Sequence, residues 1–118
     1  MAKILIVDDS RTSRRILHSI LEEAGYEIVG EAVDGQDAVE KFKELKPDIV
    51  TLDITMPVMD GIEALKLIKE DSPAAKVIMV TAAGQQSKMI EAIKLGAAEF
   101  LTKPFENEVI LKLVAKLA

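Results

Sequence analysis

The sequence of 118 residues lacks cysteine and tryptophan, and it contains a single histidine, His18. Without cysteine, the chain can form no disulfide, no thiolate metal site and no cysteine nucleophile. With one histidine, a histidine-ligated zinc site and a Ser/His or Cys/His catalytic system are poor candidates. Aromatic residues make up only 3% of the chain, which leaves little from which to build a stacking platform for bases or for a flavin ring.

Long hydrophobic segments are also missing. The first apolar run, Ile4–Val7, ends at Asp8 and Asp9 and is too short for the core of a signal peptide. No apolar run approaches the ~20 residues that span a bilayer. A formal net charge of −5 argues against broad nucleic-acid binding. We therefore expect a cytoplasmic protein that binds neither nucleic acid nor membrane.

The composition that remains is typical of one globular domain. The chain is 49% hydrophobic and 30% charged, and its length leaves no room for a second core. We therefore expect residues 1–118 to form a single domain.

Two hydrophobic periodicities alternate along the chain. Short apolar runs predict five strands, and apolar residues at helical spacing after each run predict five helices. The predicted strands lie at 4–7, 28–32, 49–52, 77–80 and 100–101, and the predicted helices near 16–24, 38–45, 62–68, 89–96 and 109–117. Continuous apolar strands separated by amphipathic helices favour an α/β fold, a doubly wound (βα)5 parallel sheet covered on both faces.

Polar side chains follow four of the predicted strands. Asp8 and Asp9 follow the first strand, Asp53 the third and Thr81 the fourth, and Lys103 comes shortly after the fifth. Ligands bind at the carboxyl ends of the strands in an open parallel sheet, so we expect these side chains to converge on one edge. Capping of the first helix would explain Asp8 alone or Asp9 alone. Their joint occurrence at four strand ends favours a functional site.

Three carboxylates on one edge repel one another, and a tight cluster of them needs a cation. The available ligands are oxygen atoms, which select Mg²⁺, Mn²⁺ or Ca²⁺. A site with few carboxylates and open positions suits Mg²⁺, which retains waters and accepts phosphate oxygens. An Asp beside a divalent metal and a Lys is the arrangement that an aspartyl phosphate needs.

The polar residues and their spacing resemble the receiver domains of bacterial two-component response regulators over essentially the whole chain. The matching segments are Asp8-Asp9, 53–61, Thr81-Ala82 and Lys103-Pro104. Among receivers the chain is most similar to the stand-alone chemotaxis type, and segment 83–86 adds to this likeness. The resemblance implies a flavodoxin-like sheet with the strand order 2-1-3-4-5.

The resemblance also implies roles for the side chains at the edge. Asp53 would accept a phosphoryl group, Lys103 would bind one of its oxygens, and Thr81 would donate its hydroxyl to another. Asp9 and Asp53 would bind Mg²⁺ directly, together with the backbone carbonyl of Thr55. The protein would then be a switch and not an enzyme, apart from self-catalysed phosphotransfer and slow autodephosphorylation.

Further expectations concern the arrangement of the site and its switching. Asp8 would orient the ion or act on it through a water, and the Lys103–Pro104 peptide bond would be cis. Phosphorylation adds ~1.5 to 2 negative charges, so Thr81 would move toward the new oxygens and Phe100 would turn inward into the vacated space. Such a change is a population shift between two packings.

The implied partners are a histidine kinase or phosphotransfer protein and a downstream effector, of which a flagellar motor switch is the first candidate. The fourth helix, fifth strand and fifth helix would form the surface that the effector reads, on a monomer. The residues expected at partner surfaces are Arg11, Arg14, Met89, Ile93 and Phe100. For the arginines, a solvated face paired with nearby acids is an equal alternative.

Other functions make different demands on the sequence. A phosphorelay intermediate or a single-domain receiver of another pathway would share every motif above. An aspartyl-phosphate phosphatase of the haloacid dehalogenase type would want an acid where Thr55 stands. A flavin carrier would want a Ser/Thr/Gly-rich phosphate loop where Asp8 and Asp9 stand, and an inert binding module would not need the complete set of acids, Thr81 and Lys103.

Overall fold

The structure, a computed structural model, describes residues 2–118. Its strands are β1 (Lys3–Val7), β2 (Glu27–Ala32), β3 (Ile49–Asp53), β4 (Lys76–Thr81) and β5 (Glu99–Thr102). Its helices are α1 (Arg11–Glu23), α2 (Gly35–Leu45), α3 (Gly61–Asp71), α4 (Gln86–Lys94) and α5 (Asn107–Leu117). In the described part of the chain, no helix has the length and hydrophobicity of a membrane span.

The five strands form one parallel sheet in the order β2-β1-β3-β4-β5. This order confirms the predicted α/β class, the five βα units and the flavodoxin-like arrangement. It also places β1 and β3 side by side and β4 next to β3. The carboxyl ends of these three strands therefore meet at the centre of one edge.

Two hydrophobic clusters cover the two faces of the sheet. Alternate residues of β1 point to opposite faces, so Leu5 and Val7 enter one cluster while Ile4 and Ile6 enter the other. The first cluster is completed by α2, α3 and α4, and the second by α1 and α5. Each large aliphatic side chain buried here contributes ~1.5–3 kcal/mol. Strands buried on both faces explain the continuous apolar runs of the sequence.

Helix starts differ from those predicted by apolar spacing alone. The first helix begins at Arg11, and Ser10 is its cap, since Ser10 Oγ accepts a hydrogen bond from Ser13 N at 3.3 Å. Asp34 and Asp60 cap α2 and α3 in the same way. Polar capping side chains extend a helix beyond its buried stripe. Because Ser10 caps α1, the carboxylates of the two preceding aspartates are not needed for that task.

The helix α4 is the least buried of the five. Ala92 is its one fully buried residue, while Ile90 and Ile93 are 56% and 59% exposed. Elements with few buried apolar contacts open at low free energy. The side of the sheet near β4 and β5 is therefore the most easily rearranged.

The loop between β3 and α3 is held tightly against the sheet. The backbone N–H of Gly61 donates to the carbonyl of Ile54 at 2.7 Å, and that of Gly35 donates to Met59 at 2.9 Å. A Cβ atom at position 61 would collide with the backbone carbonyl of Asp53. Glycine is required at position 61 by this close approach, which fixes the end of β3 where Asp53 lies.

We expect Gly61→Ala to lower the free energy of unfolding by ~1–3 kcal/mol, because the added methyl meets backbone that cannot move aside. The measurement is equilibrium denaturation by urea. Gly30→Ala is the matched control, since its Cβ would meet the flexible end of the Leu45 side chain. Equal stabilities of the two variants would contradict the close packing at position 61.

Candidate functional site

The sheet edge brings three predicted carboxylates together. Asp8 directly follows β1 and is fully buried, Asp53 is the last residue of β3 and is 7% exposed, and Asp9 is exposed. One carboxylate oxygen from each lies within 4.8 Å of the others. The expected convergence of these side chains is therefore present in the structure, although their individual roles stay predictions.

Lys103 supplies the positive charge of the cluster. Its Nζ lies 2.9 Å from Asp8 Oδ2 and 3.7 Å from Asp53 Oδ2. The backbone N–H of Lys103 donates to the carbonyl of Thr81 at 2.8 Å, and the Lys103–Pro104 bond is cis, as predicted. The backbone of this residue is thus tied to the end of β4, and its ammonium reaches the aspartates at the ends of β1 and β3.

The charges at this edge do not balance. Three carboxylates face one ammonium, which leaves a formal charge of −2. Burial raises the pKa of Asp53 to about 6, and the charge of Asp8 adds to the rise while Lys103 opposes it. Burial also acts to lower the pKa of Lys103, but contact with Asp8 and the charge of Asp53 raise it overall. The site is short of positive charge.

The donor atoms fit a hard divalent cation. All three side chains offer carboxylate oxygens, the ligands that Mg²⁺ prefers. Asp8 Oδ1 accepts a hydrogen bond from Ser10 N at 2.8 Å, whereas the buried Oδ2 faces Lys103 without hydrogen-bond geometry and has no other partner among the described residues. An under-used buried carboxylate oxygen beside excess negative charge is what a cation would relieve. These residues could hold Mg²⁺, and the Thr55 carbonyl as a further ligand stays a prediction.

The two predicted switch residues lie on the adjoining strands. Thr81 ends β4 and is 2% exposed, next to the strand that carries Asp53. Phe100 on β5 is half-buried, pairs with Met79 and packs against the first hydrophobic cluster. Thr81 lies at the end of the strand beside Asp53, Phe100 lies on the next strand, and their coupled movement remains a prediction.

Four of the five residues predicted for partner surfaces are at least partly accessible, and the fifth, Arg14, is engaged inside the molecule. Arg11 and Ile93 are exposed, and Met89 and Phe100 are half-buried. Arg14 is different, because it is already bound within the molecule and its side chain is only 14% exposed. A docking role for Arg14 stays a prediction, but here the alternative of pairing with nearby acids describes its contacts.

Arg14 belongs to a polar network whose acidic members the sequence analysis did not name. Its Nε donates to Glu31 Oε1 at 2.9 Å, and its Nη1 donates to the backbone carbonyl of Asp8 at 2.7 Å. Glu31 Oε2 also lies 2.8 Å from His18 Nδ1, and His18 Nε2 lies 3.2 Å from Glu22. The hydrogen bond to Glu31 raises the pKa of His18, against the lowering effect of burial. Through Arg14, the network holds the backbone carbonyl of Asp8.

The sequence analysis also predicted no contact for Gln85. Its side chain bridges the backbone of Ala82 and the hydroxyl of Thr55. The partners are 3 and 30 residues away in sequence. A pattern of local spacing contains no signal for the longer of these contacts.

Comparison with known families agrees with this geometry. A family profile described as the response regulator receiver domain matches residues 4–115. The chain belongs to the response regulator receiver domain family. The receiver domain is 52% identical to the chemotaxis protein CheY of Thermotoga maritima over 98% of this chain and 97% of that protein. It is 50% identical to CheY of Listeria monocytogenes over 100% and 99% of the two chains.

Solved structures show the same likeness. The crystal structure of the CheX-CheY-BeF3-Mg complex from Borrelia burgdorferi contains a chain that matches this receiver domain with a TM-score of 0.93 and 40% identity, over 98% of this chain and 87% of that one. The response regulator domain of Thermotoga maritima CheB matches with a TM-score of 0.88 and 40% identity, over 99% and 93%. As a homologue of CheY, the receiver domain is a phosphorylation-dependent signalling switch of chemotaxis.

The polar network of His18 predicts a measurable titration. We expect proton NMR of this single histidine to give a pKa above 6.5, which falls in Glu31→Gln and falls less in Glu22→Gln. Since the folded pKa is raised, the stability from this pairing is fully present below the unfolded pKa of about 6.5 and is lost as the pH rises through the folded pKa. An unchanged titration of His18 in Glu31→Gln would contradict the assignment.

Proposed function

We propose that Asp53 is the phosphoacceptor of this receiver domain and that a divalent cation, best Mg²⁺, assists the transfer. The observation that carries the proposal is the cluster of Asp8, Asp9 and Asp53 around Lys103 at one sheet edge. Such a cluster concentrates a carboxylate nucleophile, a cation site and a fixed positive charge in one place. These are the parts that phosphoryl transfer to an aspartate requires.

The contacts favour Asp53 over its two neighbours as the nucleophile. Asp8 is fully buried, with one oxygen bonded to Ser10 N and the other against Lys103. Asp9 is exposed and free to bind the cation from the solvent side. The Asp53 side chain is 10% exposed and stands 3.7 Å from the ammonium. It is therefore both accessible to a phosphodonor and close to a positive charge.

The chemistry of the step is a simple displacement. A carboxylate oxygen of Asp53 attacks phosphorus, and the bond from phosphorus to the donor's nitrogen or oxygen breaks with its electron pair. Mg²⁺, when bound, neutralises charge on the transferred group. The Lys103 ammonium would stay beside the new phosphoryl oxygens, and the hydroxyl of Thr81, the last residue of β4, would donate to them.

The proposed donor is a histidine kinase, a phosphotransfer protein or a small phosphodonor, and the proposed output is another protein. A relative is present in a complex named for CheX and CheY together with BeF3 and Mg. The exposed apolar side chains of Ile90 and Ile93 on α4 and of Val109 on α5 support a protein-binding surface on α4, β5 and α5. A flagellar motor switch is the proposed effector, and a phosphorelay partner is the alternative.

We propose that the chain is a stoichiometric switch and not a turnover enzyme, apart from self-catalysed phosphotransfer and slow autodephosphorylation. A phosphatase of the haloacid dehalogenase type would need a second acid two residues after the nucleophile. Thr55 stands there instead, and its hydroxyl accepts a hydrogen bond from Gln85. The structure offers no carboxylate at that position to act as a general acid.

The proposed phosphoacceptor is tested by incubation with Mg²⁺ and acetyl phosphate, followed by mass spectrometry. We expect the wild type to gain one base-labile phosphoryl group and Asp53→Asn to gain none. Asp60→Asn is the matched control, because Asn keeps the cap of α3 and the position lies in the same loop. Labelling of Asp53→Asn at the wild-type level, or many turnovers of unrelated phosphoesters, would contradict the proposal.

The proposed cation site is tested by calorimetric titration with Mg²⁺. We expect Asp9→Asn to weaken binding by ~10-fold or more, since loss of even an outer-shell partner weakens metal affinity by ~10–100-fold. Asp71→Asn, an exposed position at the end of α3, is the control for the loss of one negative charge. If both variants bind Mg²⁺ with equal affinity, the assignment of Asp9 is wrong.

A further inference from the structure

Gln85 stands at the position before α4 where a helix usually has a capping side chain, yet it makes no cap. Its Oε1 accepts a hydrogen bond from the backbone N–H of Ala82 at 2.6 Å, and its Nε2 donates to Thr55 Oγ1 at 2.8 Å. A backbone N–H can only donate, so this partner fixes which end of the amide faces which group. One side chain therefore connects the β4–α4 loop to the β3–α3 loop.

Both partners of Gln85 adjoin the proposed phosphoacceptor. Thr55 is two residues after Asp53. Ala82 is the first residue past β4, and Asp53 pairs with Val80 on that strand. The Ala82 N–H therefore lies at the edge of the sheet that carries the aspartates, beyond the paired part of β4. In the structure its acceptor is the Gln85 amide.

The segment that Gln85 restrains is otherwise weakly held. Gly84, directly before it, has a φ of +86° with open space where a Cβ would be. The helix that follows buries only Ala92 and starts without a side-chain cap. A loop with a glycine hinge followed by a half-exposed helix is a segment of low local stability. The two hydrogen bonds of Gln85 are thus a specific restraint on a movable element.

We propose that Gln85 is a positioning residue, a latch that holds the β4–α4 loop in its unphosphorylated arrangement. The inference rests on the proposed function, in which Asp53 receives a phosphoryl group. Anionic oxygens are stronger acceptors than an amide carbonyl, so they compete with Gln85 for the Ala82 N–H. Once displaced, Gln85 also leaves Thr55, and the start of α4 is released. The latch therefore opposes phosphorylation of Asp53, and it links phosphorylation to the release of α4.

The test uses beryllofluoride with Mg²⁺, an analogue of a phosphoryl group on a carboxylate, and measures its apparent affinity by NMR. We expect Gln85→Ala to bind it about threefold to tenfold more tightly than the wild type, because two solvent-exposed hydrogen bonds of the resting state no longer have to be broken. Gln86→Ala is the matched control, since the neighbouring glutamine is exposed and makes no side-chain hydrogen bond within residues 2–118.

A second measurement separates the latch from a merely local effect. Thr55→Val removes the hydroxyl that Gln85 contacts, so it should tighten beryllofluoride binding in the wild type and have no such effect in the Gln85→Ala background. Hydrogen exchange of the Ala82 amide, measured without beryllofluoride, should be faster in Gln85→Ala than in Gln86→Ala.

The outcomes distinguish the two proposals. A wild-type protein that binds no beryllofluoride would overturn the proposed function, and the regulatory role of Gln85 with it. If the wild type binds beryllofluoride and Gln85→Ala binds it with equal or lower affinity, the latch alone is overturned. Unchanged exchange of the Ala82 amide in Gln85→Ala would also overturn the latch and leave the assignment of Asp53 intact.

Discussion

Repulsion among Asp8, Asp9 and Asp53 is the constraint on which the rest of the site depends. The strands β1 and β3 are neighbours in the sheet and end at the same edge, so their terminal carboxylates lie within 4.8 Å of one another. Two of the three are buried, where water screens them poorly, and Lys103 neutralises one charge. A fold selected for stability alone would avoid this cluster, and perturbed groups of this kind concentrate at functional sites.

The carboxylate cluster lies between a part of the fold with a tightly held backbone and a weakly buried helix. On one side, Gly61 packs against the backbone of Asp53, and Arg14 donates directly to the carbonyl of Asp8 while Glu31 links Arg14 to His18. On the other side, α4 buries a single residue and joins the sheet through a glycine-containing loop. A rigid charge centre beside a weakly held helix lets a change of charge alter one surface without altering the fold.

Contacts inside the molecule also decide which charges are available to partners. Arg14 and Arg11 lie on the same helix, but the guanidinium of Arg14 is engaged by Glu31 and by the backbone, whereas Arg11 is exposed. Likewise, the hydroxyl of Thr55 beside the site is bonded to Gln85. The functional surface is therefore smaller than the set of polar residues near it, and hydrogen bonds across the fold define its extent.

The sequence by itself determined the alternation of strands and helices, the α/β class and the polar residue at the end of each central strand, because apolar runs and helical spacing are local patterns. The strand order came from family resemblance, and the starts of α1, α2 and α3 depended on capping side chains. Only the tertiary structure decided the contacts of Arg14 with Glu31 and of Gln85 with Thr55, 17 and 30 residues apart. Such pairs become neighbours only when the sheet places separate strands side by side, and no local spacing encodes that proximity.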